Sequence, residues 1–403
     1  MNDDQGPPAA LADAAAAAPF RRLAATAAVL RTAIGQKTAD GISLESGPGY
    51  ALFGCYEDLA AGAYLARILL AGPGDGSVTI DIAARFGAVV LASRRVELAS
   101  IENNAIDLHA ALPFPLSGCE VRLYCHDRVR ADIRGLEIYA LGAELSPSQS
   151  ALARRVDYFT RCIGPKVEGW LGSRMHEMIR IIGPIFDLLG VKGNIAEIGV
   201  HHGLFFFLLN AVRRDTERCF AIDLFDDQEL NIDHSGSGSL STFVSHLENL
   251  LPAEQEFVDV HKRDSLNFSI GEFERMFAPD GVKLFSVDGG HTVMHVCNDL
   301  SLVQEVVVPG AIVALDDFFG PHWPTVTEGF YLFMETRNRR LSPLLFFQNK
   351  LFLTTLSEHD LWLEHLAAGL EAVLGKDDLG HWRYVEIAGA KVLSHGRREF
   401  PEE

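Results

Sequence analysis

Four residues in two short stretches have the types and spacing for proton and metal chemistry. The run LFSVDGGHTVMHVCNDL, residues 284–300, is apolar up to Asp288, passes through two glycines and places His291 three residues on, where a helical pattern begins. The run AIVALDDFF ends in the adjacent acids Asp316 and Asp317. If both runs are neighbouring strands of one doubly wound sheet, the three carboxylates converge beyond their carboxyl ends, where such sheets bind ligands. Left uncompensated, such a cluster repels itself or raises a pKa. A hard divalent cation with oxygen ligands, Mg²⁺ by preference, would neutralise it. A neutral imidazole with a pKa near ~6.5 is a competent general base, and the turn directs His291 to the same mouth. The alternative is an ordinary strand-to-helix turn with a structural histidine and solvated acids.

Something must hold these runs side by side. From residue 191 to 397 strand-like and helix-like stretches alternate, among them NIAEIGV, RCFAIDLF, FVDVHKRDS, VKLFSVDG and GAIVALDDF with amphipathic segments between. Five such units in a row predict a parallel sheet with helices on both faces, right-handed crossovers and strand order 3-2-1-4-5. LLFFQNKLFLTT, a helix near 356–373 and the hairpin WRYVEIAGAKVLS add antiparallel strands after it. Upstream, residues 146–190 read as a helical linker or lid. Residues 41–145 break into short β-rich runs separated by turn signals such as GPGDGS, the pattern of an all-β, jelly-roll-like sandwich. Residues 1–40 read as a disordered or helical N-terminal segment.

The first strand-to-helix turn, EIGVHHG, carries Glu197, Gly199 and Gly203. Glycines there let the backbone turn sharply and approach a ligand at the helix N-terminus. The middle glycine of the dinucleotide fingerprint is replaced by His201, which disfavours a nicotinamide dehydrogenase. Asp223 ends the second strand, where a carboxylate can accept both hydrogen bonds of a ribose diol. After the third strand, Asp264 and Ser265 are placed to meet an adenine edge. Acids at strand ends are common, so the weight lies in the ordered set.

That ordered set, over about residues 165–355, resembles the class I S-adenosylmethionine-dependent methyltransferases. The resemblance implies that Gly199 and Gly203 line the methionine part of the cofactor, with Glu197 just before them, that Asp223 holds the ribose, and that Asp264 and Ser265 hold the adenine. Asp288, His291 and the Asp316–Asp317 pair further resemble the metal-dependent sugar O-methyltransferases of macrolide antibiotic biosynthesis, which carry Asp-x-x-His followed by an acidic pair. In that family the first Asp and the acidic pair bind Mg²⁺ and the His is the proposed base. Asp316 departs from the Glu frequent there, keeping the charge and shortening the reach.

Around these residues, His322 and Trp323 are candidates to wall an acceptor pocket, His201 and His202 to touch the cofactor carboxylate, and EGWLGSRM, with Trp170, to cover the cofactor. The Gly/Ser-rich stretch NIDHSGSGSLS reads as a mobile lid or a flexible connection. Each has a purely structural alternative.

Composition narrows the partners. At 403 residues and 48% hydrophobic content the chain can build two domains with a substantial core. No apolar run reaches the roughly 18 to 20 residues that span a bilayer, and the start lacks a secretory leader's pattern, so the expectation is a cytoplasmic protein without a membrane partner. Lys+Arg 35 against Asp+Glu 54, a formal charge of −19, disfavours nucleic acid. The six cysteines lack zinc or disulfide spacing and read as reduced core thiols. The expected function is Mg²⁺-assisted O-methyl transfer from S-adenosylmethionine to a hydroxyl of a sugar or glycosylated metabolite, by a chain compatible with a homo-oligomer. The alternatives are an enzyme resembling the cephalosporin hydroxylase group and a non-catalytic glycan-binding protein.

Overall fold

The structure is a computed structural model that describes residues 18–84, 87, 89–101, 103–142, 147–214, 216–374 and 381–396. The chain divides into two compact units, Met1–Pro147 and Ser148–Glu403.

The first unit is all-β, as expected, with two six-stranded antiparallel sheets. One orders Ala105–Leu112, Gly62–Leu70, Val129–Gly142, Ile42–Ser46 and Gln36–Lys37, with Arg21–Ala24 also on Val129–Gly142. The other orders Leu30–Arg31, Gly49–Gly54, Leu116–Cys125, Ser77–Ala84 and Val89–Glu97, with Glu57–Leu59 beside Leu116–Cys125. Alternation makes the sheet faces: Ile106, Leu108, Ala110 and Leu112 are buried while the residues between them are more open. Residues 21–37 correct the expectation of a disordered or helical segment up to 40. Arg21–Ala24 pair with residues 135–138, and Leu30 pairs with Gly54. Alanine-rich composition favours helix locally, but pairing against strands already in place and burial of Ala25 and Leu30 override it. Residues 1–17 lie outside the described residues.

The second unit opens with α1 (Pro147–Tyr158) and α2 (Met175–Leu189). The stretch read as a helical linker or lid thus holds two helices that pack into this unit's core. Val156 and Phe159 are buried, and α2 buries Met178, Ile181, Ile182, Ile185 and Phe186. Nine strands then form one sheet: β1 (Asn194–Ile198), β2 (Cys219–Asp223), β3 (Val258–Lys262), β4 (Val282–Val287), β5 (Val307–Leu315), β6 (Leu341–Phe347), β7 (Lys350–Thr355), β8 (Trp382–Ile387) and β9 (Ala390–His395). Their spatial order is β3-β2-β1-β4-β5-β7-β6-β9-β8. The first five are parallel in the expected order, and β7 returns antiparallel beside β5. Every residue of β1 and β4 is buried, as strands covered on both faces must be. The covering helices are α3 (Leu204–Leu209), α4 (Leu240–Leu250), α5 (Ile270–Phe277), α6 (Val293–Val306), α7 (Pro324–Met334) and α8 (His359–Leu374). Among the described residues no helix is long and apolar enough to cross a membrane.

Register is what positions the site. Ile198 pairs with Ile222 and Val287, Val287 with Leu315, and Leu315 with Leu351. The residues one step past these partners, Gly199, Asp223, Asp288 and Asp316, therefore lie at one level, and antiparallel β7 brings Lys350 to it.

At the opposite end of β4, Lys283 is fully buried, 2.5 Å from Glu217 and 3.0 Å from the Val212 carbonyl it donates to. This pair ties β4 to the segment before β2. Replacing Lys283 with Met leaves a buried carboxylate without its counterion and is expected to cost about 3 kcal/mol, whereas Lys283→Met with Glu217→Leu recovers most of it. Urea unfolding at pH 7 measures both; equal losses in single and double variants would refute the assignment.

Candidate functional site

A single cavity of about 860 Å³ runs across the carboxyl ends of the parallel strands. Of the predicted cofactor residues, Glu197, Gly199, Asp223, Asp264 and Ser265 line it; so do Asp288, His291, Asp316 and Asp317. Gly203 does not. It caps α3 at φ +99°, and a Cβ there would stand 2.6 Å from the Phe207 ring and 3.0 Å from Phe243. The second glycine of EIGVHHG thus serves helix packing, which corrects its expected place on the cavity wall.

Gly199 is required on two counts. Its φ is +86°, and a Cβ would fall 1.7 Å from the Asp288 carbonyl, so the β1 and β4 turns meet with no room for a side chain. Asp223 accepts hydrogen bonds from the backbone N–H of His201 (2.8 Å) and of Phe225. The Val200 backbone N–H is a third donor, so one of the carboxylate's four lone-pair sites remains for a ribose hydroxyl. Burial pushes the Asp223 carboxyl up, and these backbone donors oppose it. Asp264 spends one oxygen capping the turn at Leu266 N–H (2.9 Å). Glu197 is buried with Oε2 unpaired; burial pushes its carboxyl up to about 8 against the opposing pull of Lys350 and Ser286. Gly169 and Trp170 from the α1–α2 connection line the cavity, and Trp170 lies 5.4 Å from the His201 ring.

Asp288, His291 and Asp317 bring one ligand atom each to within 4.8 Å of one another. His291 Nε2 stands 3.1 Å from Asp317 Oδ2 and 3.8 Å from Asp288 Oδ1. Asp316 departs from the expected ligand set because its oxygens are already engaged. One pairs with buried Lys350, and the other accepts from Asn349 Nδ2 (2.7 Å) and from the Asp317 backbone N–H (2.8 Å). Burial and the neighbouring Asp316 drive the Asp288 carboxyl well above the ordinary range; at Asp316 burial is the largest influence, but Lys350, the hydrogen bond with Asp288 and the Asp317 N–H together hold the carboxyl low. Burial works against the charged form of His291, but Asp317 and Asp233 outweigh it and raise its pKa.

Three functional neighbours escaped the sequence reading. Lys350 and Asn349 sit in QNK, a strand-start signal without chemistry of its own. Asp233, inside the Gly/Ser-rich stretch, accepts from the His291 backbone N–H, and its Oδ2 lies 3.1 Å from His291 Nδ1. The Trp323 ring stacks on His291 at 4.4 Å and 18°, and His322 lines the same wall.

The residues fit both implied groups. The two converging carboxylates, Asp288 and Asp317, suit a divalent cation with His291 Nε2 left free beside them, and the glycine cradle with Asp223 suits an adenosyl cofactor.

The raised Glu197 carboxyl has a stability signature. A carboxyl with a folded pKa near 8 against an ordinary 4.5 contributes stability that is complete below 4.5 and is lost as pH rises through 8. Wild type should therefore lose stability relative to Glu197→Gln between those limits, by at most about 5 kcal/mol. Urea unfolding across pH 5 to 8.5 tests this; parallel profiles would show Glu197 ionised throughout.

Residues 196–318 match the family model described as a methyltransferase domain. No curated protein matches the sequence. Among solved structures, the calicheamicin methyltransferase CalS11 aligns at 15% identity and TM-score 0.36, over 52% of this chain and 94% of its own. TomG from Streptomyces achromogenes, an O-methyltransferase of tomaymycin synthesis solved with S-adenosylmethionine, aligns at 14% and 0.35, over 53% and 90%. MycE, a methyltransferase of the mycinamycin pathway solved with Mg, S-adenosylhomocysteine and mycinamycin VI, aligns at 17% and 0.33, over 52% and 54%. The segment that matches the methyltransferase-domain model spans β1 to the acidic pair after β5.

Proposed function

We propose that this protein is an O-methyltransferase that moves a methyl group from S-adenosylmethionine to a hydroxyl of a sugar or glycosylated metabolite, with a divalent cation, Mg²⁺ by preference, at Asp288 and Asp317. The observation that carries the reading is the convergence of Asp288, His291 and Asp317 in the cavity that also holds Gly199 and Asp223. Bound there, the cofactor supplies an electrophilic methyl group and the cation makes the acceptor hydroxyl more acidic.

The chain's own residues do the rest. Gly199 opens the backbone for the methionine part, Asp223 offers its remaining lone pair to a ribose hydroxyl, and Ser265 with Asp264 borders the adenine end. His291 Nε2 faces the carboxylates and receives the acceptor proton as general base. Trp323 and His322 give the acceptor side an aromatic wall against which a sugar ring can lie, and Trp170 limits access of water from the other side.

His291→Ala should lower kcat by at least about 100-fold while leaving affinity for S-adenosylhomocysteine near wild type. A screen of sugars and glycosylated metabolites with methyl-labelled cofactor reads the first, and calorimetry the second. Full turnover in the variant would remove His291 as base. EDTA should abolish transfer and added Mg²⁺ restore it; indifference to chelation would remove the cation. A product heavier by one oxygen instead of one methylene would assign a hydroxylase.

A further inference from the structure

The His291 ring is held on all but one side. Trp323 covers a face at 4.4 Å, the Thr325 hydroxyl donates to the His291 carbonyl, and Nδ1 meets Asp233 at 3.1 Å. Only the Nε2 edge is turned to the carboxylates Asp288 and Asp317. Asp233 is itself immobilised: Oδ1 accepts the Ser235 N–H at 2.9 Å and the Ser235 hydroxyl at 2.6 Å, while Oδ2 accepts the His291 backbone N–H. Four hydrogen-bond contacts converge on one carboxylate, two of them from the very residue it orients.

An ionised carboxylate can only accept, and one stands 3.1 Å from each ring nitrogen, Asp233 at Nδ1 and Asp317 at Nε2; Asp233 is the one locked in place by the His291 backbone N–H and Ser235, so a neutral ring whose Nδ1–H is held there carries its lone pair on Nε2. Asp233 belongs to the loop that follows β2, and the same loop crosses the cofactor residues. A Cβ at Gly238 would lie 3.1 Å from Asp223 Oδ1, and one at Gly236 would lie 3.4 Å from the His201 ring. Ring orientation at the base and cover over the ribose end are thus properties of a single segment.

We propose that Asp233 is the positioning residue of this site: docked on His291 by the loop after β2, it fixes the Nδ1–H tautomer and presents the Nε2 lone pair, so that the base is set only when this loop lies over the cofactor. The inference rests on the role proposed for His291. It assigns to the Gly/Ser-rich stretch a contact in the chemistry itself, beyond that of a lid.

The test compares wild type with Asp233→Asn and Asp233→Glu, using protein labelled with ¹⁵N-histidine and loaded with S-adenosylhomocysteine and MgCl₂. The His291 signals are assigned by their loss in His291→Gln. The ring nitrogens of wild type should report Nδ1–H with a bare Nε2, and Asp233→Asn should lose that pattern because its amide can donate to Nδ1. With an acceptor in hand, Asp233→Asn should lower kcat by about 10- to 100-fold, the range for loss of a ring-orienting partner, with KM for acceptor and affinity for S-adenosylhomocysteine within about twofold of wild type. Asp233→Glu, which restores the carboxylate, should recover part of kcat. An unchanged tautomer with wild-type kcat in Asp233→Asn would overturn the proposal. A parallel fall of kcat, cofactor affinity and melting temperature would also overturn it, leaving Asp233 a structural residue. The ring spectrum is read whether or not any acceptor is methylated, so failure of the proposed reaction and failure of the positioning role are distinguishable.

Discussion

The ion pair between Lys350 and Asp316 is the interaction on which the rest of the site depends. Glu197, Asp288 and Asp316 end or follow three adjacent strands, and bringing three carboxyl groups together in a mostly buried floor is prohibitive unless charge is removed or matched. Lys350, itself fully buried and 4.5 Å from the Phe205 ring centroid, matches one of them. The other two are held towards their neutral forms by burial. A well-packed apolar pair could be as stable in that place, so stability alone does not account for it. What the ammonium adds is a fixed positive charge at Asp316 that favours the ionised form there and sets it apart from its neighbours.

The backbone imposes a second constraint at the same level. The turn after β1 and the turn after β4 approach until Gly199 and the Asp288 carbonyl leave no space for a Cβ. That approach places the cofactor cradle and the first cluster carboxylate in direct contact. The same two turns are tied further by the Asp288 N–H, which donates to the Ile198 carbonyl at 2.9 Å.

Much of this was legible in the sequence because the signals are local. Buried parallel strands read as continuous apolar runs, and their ends are marked by the residue that follows, so Gly199, Asp223, Asp288 and Asp317 could be placed from pattern alone. Lys350 could not, because its position follows from the register of an antiparallel strand against β5, which no local pattern encodes. Asp233 was hidden for the opposite reason: its surroundings have the composition of a flexible connection, and only the tertiary contact with His291 sets it apart. Gly203 was misplaced because a glycine needed for close packing looks the same in sequence as one needed for ligand approach. Residues 21–37 read as helix or disorder because alanine propensity is local while their strand partners lie up to about a hundred residues away in the chain.

The carboxylates after β4 and β5 are thus unequal, although the sequence presents them as a set of three. Asp317 has its Oδ2 beside His291 Nε2 and lies partly open to the cavity, Asp316 is closed off by Lys350 and Asn349, and Asp288 lies between them. Burial and the neighbouring Asp316 both disfavour the charged form of Asp288, and a cation held at Asp288 and Asp317 would offset them. His291 lies on the Asp288–Asp317 side with its one free edge. A positive charge held there disfavours the imidazolium and leaves Nε2 able to accept a proton. A cation bound at Asp288 and Asp317, as proposed, would lie on the His291 side of the cluster and away from the Asp316–Lys350 pair that links β5 to β7.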